Sequence, residues 1–418
     1  MKNNWPTKQL GEILSEIRNG TTARQNQEGV GYPVTRIETV QNSSIDRDRI
    51  GFVELSAKEF EKYKLKDGDI LFSHINSEEH LGKVAIYYGE IKNLILGMNL
   101  LRFRVNEKLI LPSFLYYFFL TGSAKRQIKK NAKRAVNQAS INQAQINKFL
   151  IPLPPLKIQK QIVERLDKIA EARKLNDDLI QKSDEFYRSL LHNELNAKVK
   201  NQNVKSQFKI KKLGEICEIN PRKAEINKLS KDTIVSFLAM ADVSESAEIT
   251  NLQERKLAEV RNGFTFFKNG DVLVAKITPC FENGKGAFVE GMKNEIGFGS
   301  TEFHVLRANS EILLNRFLYH LVSDKKFRKI GARFMTGSAG QRRVSKHYLE
   351  NFKIPLPPLE TQKQIVTKLS AVQDYKIQLL EQKAKLKELF DSALHKSMTQ
   401  RPIRKLSLLT GHGFSTRF

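Results

Sequence analysis

The sequence predicts an α+β chain in which two similar mixed α/β globules are each followed by a long helix. Three observations carry this. The segment Ile151-Pro152-Leu153-Pro154-Pro155-Leu156, with Gln159-Lys160-Gln161-Ile162-Val163 and Leu166, recurs as Ile354 to Leu359, Gln362 to Val366 and Leu369, giving 12 identities in 16 positions at an offset of 203. Each copy opens a stretch free of Pro and Gly, from Leu156 to Gln207 and from Leu359 to Gln400. Ahead of each copy lie short β-branched and aromatic runs bounded by Gly, Asn and Asp, the pattern of strands.

The offset holds at other anchors. Leu10-Gly11-Glu12-Ile13 matches Leu213-Gly214-Glu215-Ile216, and Phe114-Leu115-Tyr116 matches Phe317-Leu318-Tyr319. Gly68-Asp69-Ile70-Leu71 pairs with Gly270-Asp271-Val272-Leu273 at 202, and Phe103-Arg104-Val105 pairs with Phe303-His304-Val305 at 200. A repeat of this length far exceeds the 20–50 residues of solenoid units, so it is a tandem domain duplication over about residues 8 to 398.

The elements follow in order. Tyr32-Pro33-Val34, Asp69 to Phe72, Val84 to Tyr88 and Leu100 to Val105 read as strands. Gly68 and Gly270 supply tight turns ahead of the second strand of that series in each repeat. Ser113 to Lys130, and its partner Asn315 to Ile330, have helical periodicity. The Pro-rich connector cannot be helical or lie in a central strand, and the second Pro of each pair suits the first helical position. Heptad spacing then marks Ile162, Ile169 and Leu190 in the first long helix and Ile365, Val372, Leu379 and Leu386 in the second as helix-pairing positions, with Asn176 or Ser183 setting register. A helix of about 40 residues is about 60 Å long.

Composition narrows the class. No apolar run reaches the length of a membrane span, the N-terminal residues lack an apolar signal stretch, and Cys217 and Cys280 form neither a metal spacing nor a disulfide framework. These features predict a cytoplasmic protein, with Cys217 in the core. There are 70 Lys+Arg against 45 Asp+Glu, a net charge of +25. Two stretches concentrate it. Thr121 to Leu150 holds seven basic residues and no acid, and Lys325 to Leu349 holds eight and no acid. The two occupy the same place in each repeat, as phosphate-contacting surfaces used twice would.

Catalytic signatures are missing: there is no phosphate-loop motif, no Asn/Asp-Pro-Pro-Tyr/Phe methyltransferase motif, no Pro-Asp dipeptide, no Gly-x-Ser-x-Gly elbow and no His-Glu-x-x-His. The doubled Pro-Leu-Pro-Pro-Leu…Gln-x-x-Ile-Val helix entry, the Leu-Gly-Glu-Ile start and the Gly-Asp-Ile/Val-Leu turn together resemble the specificity subunits of type I restriction–modification systems, over nearly the whole chain. The resemblance implies two target recognition domains separated and joined by two long helices forming an antiparallel coiled coil, an internal pseudo-twofold repeat. It implies the divisions 1–152 and 204–355 for the two domains and 153–203 and 356–400 for the helices; the basic tail, 401–418, departs from the family's pattern and is given no function. It further implies a non-catalytic subunit that reads a bipartite, asymmetric site in double-stranded DNA, the helices setting the spacer and docking methyltransferase subunits. The partner subunits use S-adenosylmethionine and, for restriction and translocation, ATP and Mg²⁺; no cofactor and no membrane is expected for this chain. The competing readings are a coiled-coil scaffold for acidic proteins and a stand-alone DNA-modifying enzyme.

Within that frame the basic stretches supply the phosphate candidates Lys133 and Arg134, and Arg333, Arg342, Arg343 and Lys346. Polar residues that follow the Gly-Asp strands supply the base-edge candidates Ser73, His74, Asn76 and Lys83, and Lys276, Thr278 and Lys285. Arg36, beside the strand-like Tyr-Pro-Val-Thr, is another. Asn99 and Ser300 precede matching strands and are either contacts or turn formers.

Overall fold

The computed structural model of the chain describes residues 5–26, 28–136, 138–196, 208–245, 248–338 and 340–398. They form two compact units, one running to Asp177 and resuming at Gln382, the other running from Asp178 to Glu381. No helix among the described residues is long and apolar enough to cross a membrane. The expected basic tail, 401–418, lies outside the described residues, as do 197–203 of the expected helical segment.

The first unit carries strands β1 (Thr7–Gln9), β2 (Leu14–Asn19), β3 (Ile70–Ser73), β4 (Ile75–Asn76), β5 (Val84–Ile86) and β6 (Leu100–Val105), then helices α1 (Pro112–Leu120) and α2 (Gly122–Asn131). Strands β7 (Lys133–Ala135), β8 (Gln138–Ser140) and β9 (Leu150–Pro152) precede the long helix α3 (Leu156–Asn196). An antiparallel sheet has the order β2-β6-β3-β5, β1 pairs with β9, and β7-β8-β4 form a three-stranded ribbon.

The second unit repeats the plan with β10 (Lys209–Lys212), β11 (Cys217–Ile219), β12 (Val272–Ala275), β13 (Gly286–Phe288), β14 (Phe303–Ala308), α4 (Asn315–Ser323), α5 (Lys325–Ala332), β15 (Lys353–Leu356) and the long helix α6 (Leu359–Met398). Its main sheet is ordered β11-β14-β12-β13, and β10 pairs with β15. Between these shared parts the units differ in how far the strands extend. The second has a mixed sheet made by Gln253–Lys256, Ile234–Leu238, Ile296–Gly299 and Thr265–Lys268. In the first, Tyr32–Val34 pairs with Gly51–Val53 and single bridges continue the same order, Ile95 lying parallel to Val34 and antiparallel to Lys64; Val40–Gln41 also pairs with Ser44–Ile45.

Two expectations are corrected. The helix expected from Ser113 to Lys130 is two helices that break at Thr121, whose backbone is extended and whose hydroxyl accepts from Ala124 N–H to cap α2. Asp324 does the same for α5, accepting from Lys326 N–H, so Asn315 to Ile330 is also divided. Threonine and aspartate compete for backbone N–H groups and thereby favour caps over helix interiors. The strand match at offset 200 also fails. Phe103 pairs with Ile70, whereas Leu306 pairs with Val272, so the sheet register aligns β6 with β14 at 203. The Phe-x-Val match at 200 is a coincidence of letters: it lies three residues from the true register, an odd shift that would turn every side chain to the opposite face.

The corrected register explains the Gly-Asp motif. Gly68 and Gly270 have φ of +83° and +86°, which only glycine adopts without strain. The next residue, Asp69 or Asp271, is at most 1% exposed. Asp69 accepts from the Lys66 backbone N–H (2.8 Å) and from Arg104 Nε (2.8 Å) and Nη2 (2.7 Å). Asp271 accepts from Lys268 N–H (2.9 Å) and from Arg307 Nε and Nη2 (both 2.8 Å). One carboxylate thus closes a turn and ties it to the neighbouring strand by a two-pronged ion pair.

Each unit buries parts of both long helices. In the first, Ile162, Leu166 and Ile169 of α3, with Phe390, Ala393, Leu394 and Met398 of α6, join the core around Phe72, Phe103, Phe114 and Phe118. In the second, Ile365 and Leu369 of α6 and Leu191 of α3 join Leu306, Phe317 and Leu318. The helices run antiparallel within each unit. In the second, Lys376 bonds Asp184 and Lys368 bonds Glu194, one number falling as the other rises; in the first, Lys383 meets Asp177 and Arg173 lies over the Phe390 ring. Leu379 is buried, as are Asn176 and Ser183, while Leu190, Val372 and Leu386 are half-buried. Cys217 is a core residue whose thiol donates to Leu213 O, and burial pushes its pKa up to about 12.

Candidate nucleic-acid interface

The acid-free stretch of each unit folds into a helix followed by a β-ribbon. In α2, Ala124 and Ile128 face the core while Lys125, Arg126, Lys129 and Lys130 are exposed. In α5, Phe327 is buried while Lys325, Lys326 and Lys329 are exposed; Arg328 is tucked in, donating to Ser323 O. Lys125, Lys129, Lys130 and Lys133 have no ion pair to a described residue. Their ammonium groups are therefore available to phosphate, where each contact releases a counterion.

The ribbon comes next. Lys133 pairs with Ser140 across β7 and β8, and Ser140 pairs with Ile75 of β4. The second unit makes the same bridges, Thr336 with Arg343 and Arg343 with Ile277. Residues Lys133, Arg134, Ala135 and Val136 are all exposed, Val136 to 92%. Arg134 pairs with Glu78 at 2.9 Å, Arg343 with Glu302 at 2.8 Å, and Arg342 reaches Glu282 at 3.9 Å. Exposed pairs of this kind contribute little to stability, so the guanidinium groups can exchange a carboxylate for a phosphate or a base edge at little cost.

The other sequence candidates divide. Arg36 is turned inward: it is 8% exposed, and its guanidinium donates to the carbonyls of Thr21 and Ala23. Ser73 is wholly buried and accepts from Asn76 Nδ2 at 3.0 Å, so neither its hydroxyl nor that amide proton is turned outward. In both cases polarity near a strand end does not bring exposure. Lys83 and Lys285 are half-buried, donating to Gln41 Oε1 and Met240 O. Thr278 donates to Glu282 at 2.8 Å, and Ser300 accepts from Glu302 N–H at 3.2 Å, which makes it a turn former. Arg333 is exposed, and Lys346 is exposed beside Glu350.

Asn99 and His74 meet through the backbone, His74 N–H donating to Asn99 O. Asn99 holds φ of +66°, and its side-chain amide has no hydrogen bond to a described residue. Burial pushes the His74 imidazole below its ordinary pKa, and Lys276 is likewise held down by burial while donating to Thr301 O. Glu302 was missed because a search for phosphate contacts selects positive charge. Its sequence signal is its place before β14, where the register at 203 makes it the counterpart of Asn99.

Comparison with known proteins bears on this arrangement. The model of the type I restriction modification DNA specificity domain matches residues 2–182 and again 205–388. The chain is 35% identical over 412 residues to the type I restriction enzyme MjaX specificity subunit of Methanocaldococcus jannaschii, covering 94% of this chain and 92% of that one. It is 40% identical over 171 residues to the EcoAI specificity subunit of Escherichia coli, covering 41% of this chain and 28% of that one. The fold is shared with the type I restriction–modification S subunit from M. genitalium, at a TM-score of 0.56 and 16% identity over 95% of this chain and 96% of that one. The basic ribbon on the repeated sheet therefore belongs to a chain that carries the DNA specificity domain twice, and this chain is a member of the type I restriction–modification specificity-subunit family.

Proposed function

We propose that the chain is the non-catalytic DNA-recognition subunit of a type I restriction–modification complex, working in the cytoplasm. Each domain, residues 1–152 and 204–355, reads one half of a bipartite, asymmetric target in double-stranded DNA. The helical segments, 153–203 and 356–400, set the spacer and dock methyltransferase subunits that use S-adenosylmethionine. Restriction and translocation subunits using ATP and Mg²⁺ complete the assembly, while this chain contributes binding and register. The observation that carries the reading is the repetition of one acid-free helix-and-ribbon surface on two units whose sequences differ elsewhere. Phosphate contact needs charge and tolerates sequence change, whereas two half-sites demand two different reading surfaces. Deleting the gene and sequencing methylated bases tests this. One bipartite methylated motif should disappear from the host genome; loss of no motif, or of an unsplit one, contradicts the reading.

A further inference from the structure

The corrected register superimposes three positions of one unit on three of the other. His74 N–H donates to Asn99 O, and Ile141 N–H donates to His74 O. Lys276 N–H donates to Glu302 O (2.7 Å), and Val344 N–H donates to Lys276 O (2.9 Å). Ser140 and Arg343, which precede Ile141 and Val344, occupy the same place in the ribbon, bridged to Ile75 and Ile277. The backbone at the ribbon's root is thus the same in both units: His74, Asn99 and Ser140 correspond to Lys276, Glu302 and Arg343.

The side chains differ in chemistry. The first set is an imidazole, an amide and a hydroxyl. The second is an ammonium, a carboxylate and a guanidinium. None of the six is fully buried, and each set adjoins the exposed ribbon. The Asn99 amide is free of described partners, held out on a left-handed turn that asparagine tolerates. Arg343 makes a two-pronged bond to Glu302, Nε and Nη2 each lying within 3.1 Å of its carboxylate. With 45% and 26% of their side chains exposed, these partners are open to exchange. A scaffold kept constant while the groups it presents change is what two different base pairs require. An amide matches N6 and N7 of adenine, a guanidinium matches O6 and N7 of guanine, and a carboxylate accepts from N4 of cytosine.

The geometry points to these two sets as base-reading positions, Asn99 recognising an A·T pair in the half-site of the first unit and Arg343 with Glu302 recognising a G·C pair in the half-site of the second. The inference rests on the function proposed above. The test uses the full chain assembled with its methyltransferase subunits. Asn99→Gly keeps the left-handed turn and deletes the amide; Arg343→Ala deletes the guanidinium. Methylated motifs are sequenced, and binding to duplexes carrying every single base-pair change in the target is measured in parallel, so a variant that no longer methylates is still scored. Asn99→Gly should make one A·T position of one half-site degenerate, with a loss of discrimination of about ten-fold, leaving the other half unchanged. Arg343→Ala should do so at one G·C position of the other half. Uniformly weaker binding with both halves still fully discriminated overturns the inference, as does a relaxed position of the wrong base pair. A wild-type complex with no bipartite motif would instead sink the proposed function itself.

Discussion

Gln159 and Gln362 are both wholly buried and make the same three hydrogen bonds. Gln159 Oε1 accepts from Leu111 N–H at 2.9 Å, and its Nε2 donates to Leu109 O (3.0 Å) and Pro154 O (2.8 Å). Gln362 accepts from Leu314 N–H (2.8 Å) and donates to Ile312 O (2.9 Å) and Pro357 O (2.8 Å). One side chain at the start of each long helix thereby fixes the Pro-rich connector and the loop before the next helix of the globule. This is why the Gln of the repeated motif recurs as firmly as its prolines.

Replacing Gln159 by Leu keeps much of the volume but strands a buried N–H and two carbonyls. The expected cost is about 2–4 kcal/mol, because unmade buried hydrogen bonds carry the full desolvation penalty. Urea unfolding followed by Trp5, the single tryptophan and a residue of the first unit, should show the midpoint fall. Gln159→Glu should also destabilise, since a carboxylate cannot donate to those carbonyls.

Acid should weaken the second unit. Burial pushes both His304 and His320 down to about 4, with His304 Nε2 lying 2.9 Å from Val344 O and His320 Nδ1 lying 2.7 Å from the Tyr187 hydroxyl. Their folded pKa values lie below the unfolded value of about 6.5, so the unfolded chain binds more protons between those limits. The stability held near neutral pH is therefore lost as pH falls from about 6.5 toward 4. Hydrogen exchange in α4 should quicken from pH 7 to pH 5 once corrected for intrinsic rates. His320→Tyr, which copies Tyr117 at the matching place in the first unit, should flatten that dependence; an unchanged slope would count against the buried neutral histidine.

Lys129 and Lys130 should act on affinity without altering preference. Reversing both to Glu should weaken binding to all duplexes alike and lower the slope of log K against log salt by about 2, at roughly 0.9 per phosphate contact. Salt titrations of binding to target and non-target DNA read both effects.

The long helices yield a spacing prediction. Leu166 and Leu369 are wholly buried in the two cores, so an insertion beside either would disturb a globule. Seven residues placed after Asp178 in α3, with seven after Leu380 in α6, avoid those contacts. They add about 10 Å of helix, and the methylated motif should gain about 3 base pairs of spacer at 3.4 Å each, with both half-sites kept. An unchanged spacer would contradict the spacing role.

Much of this was legible because it depends on local chemistry. Pro154-Pro155 and Pro357-Pro358 forbid helix before Leu156 and Leu359, and the runs without Pro or Gly permit it afterwards. The helices Leu156–Asn196 and Leu359–Met398 begin at those residues. Tertiary facts were less legible. Arg36 looks like any exposed arginine until the carbonyls of Thr21 and Ala23 are brought around it. Glu302 takes its meaning from a strand register that single identities, such as Phe103 with Phe303, obscure. The sheet hydrogen bonds, which the letters do not record, make Asn99 its counterpart.

The central claim is that each unit reads its own half-site. The most direct measurement replaces residues 20–145 with the corresponding segment of another family member and sequences the methylated motif produced by the assembled complex. The account predicts that one half of the motif changes while the other half and the spacer stay as they were. A motif in which both halves change together would contradict it.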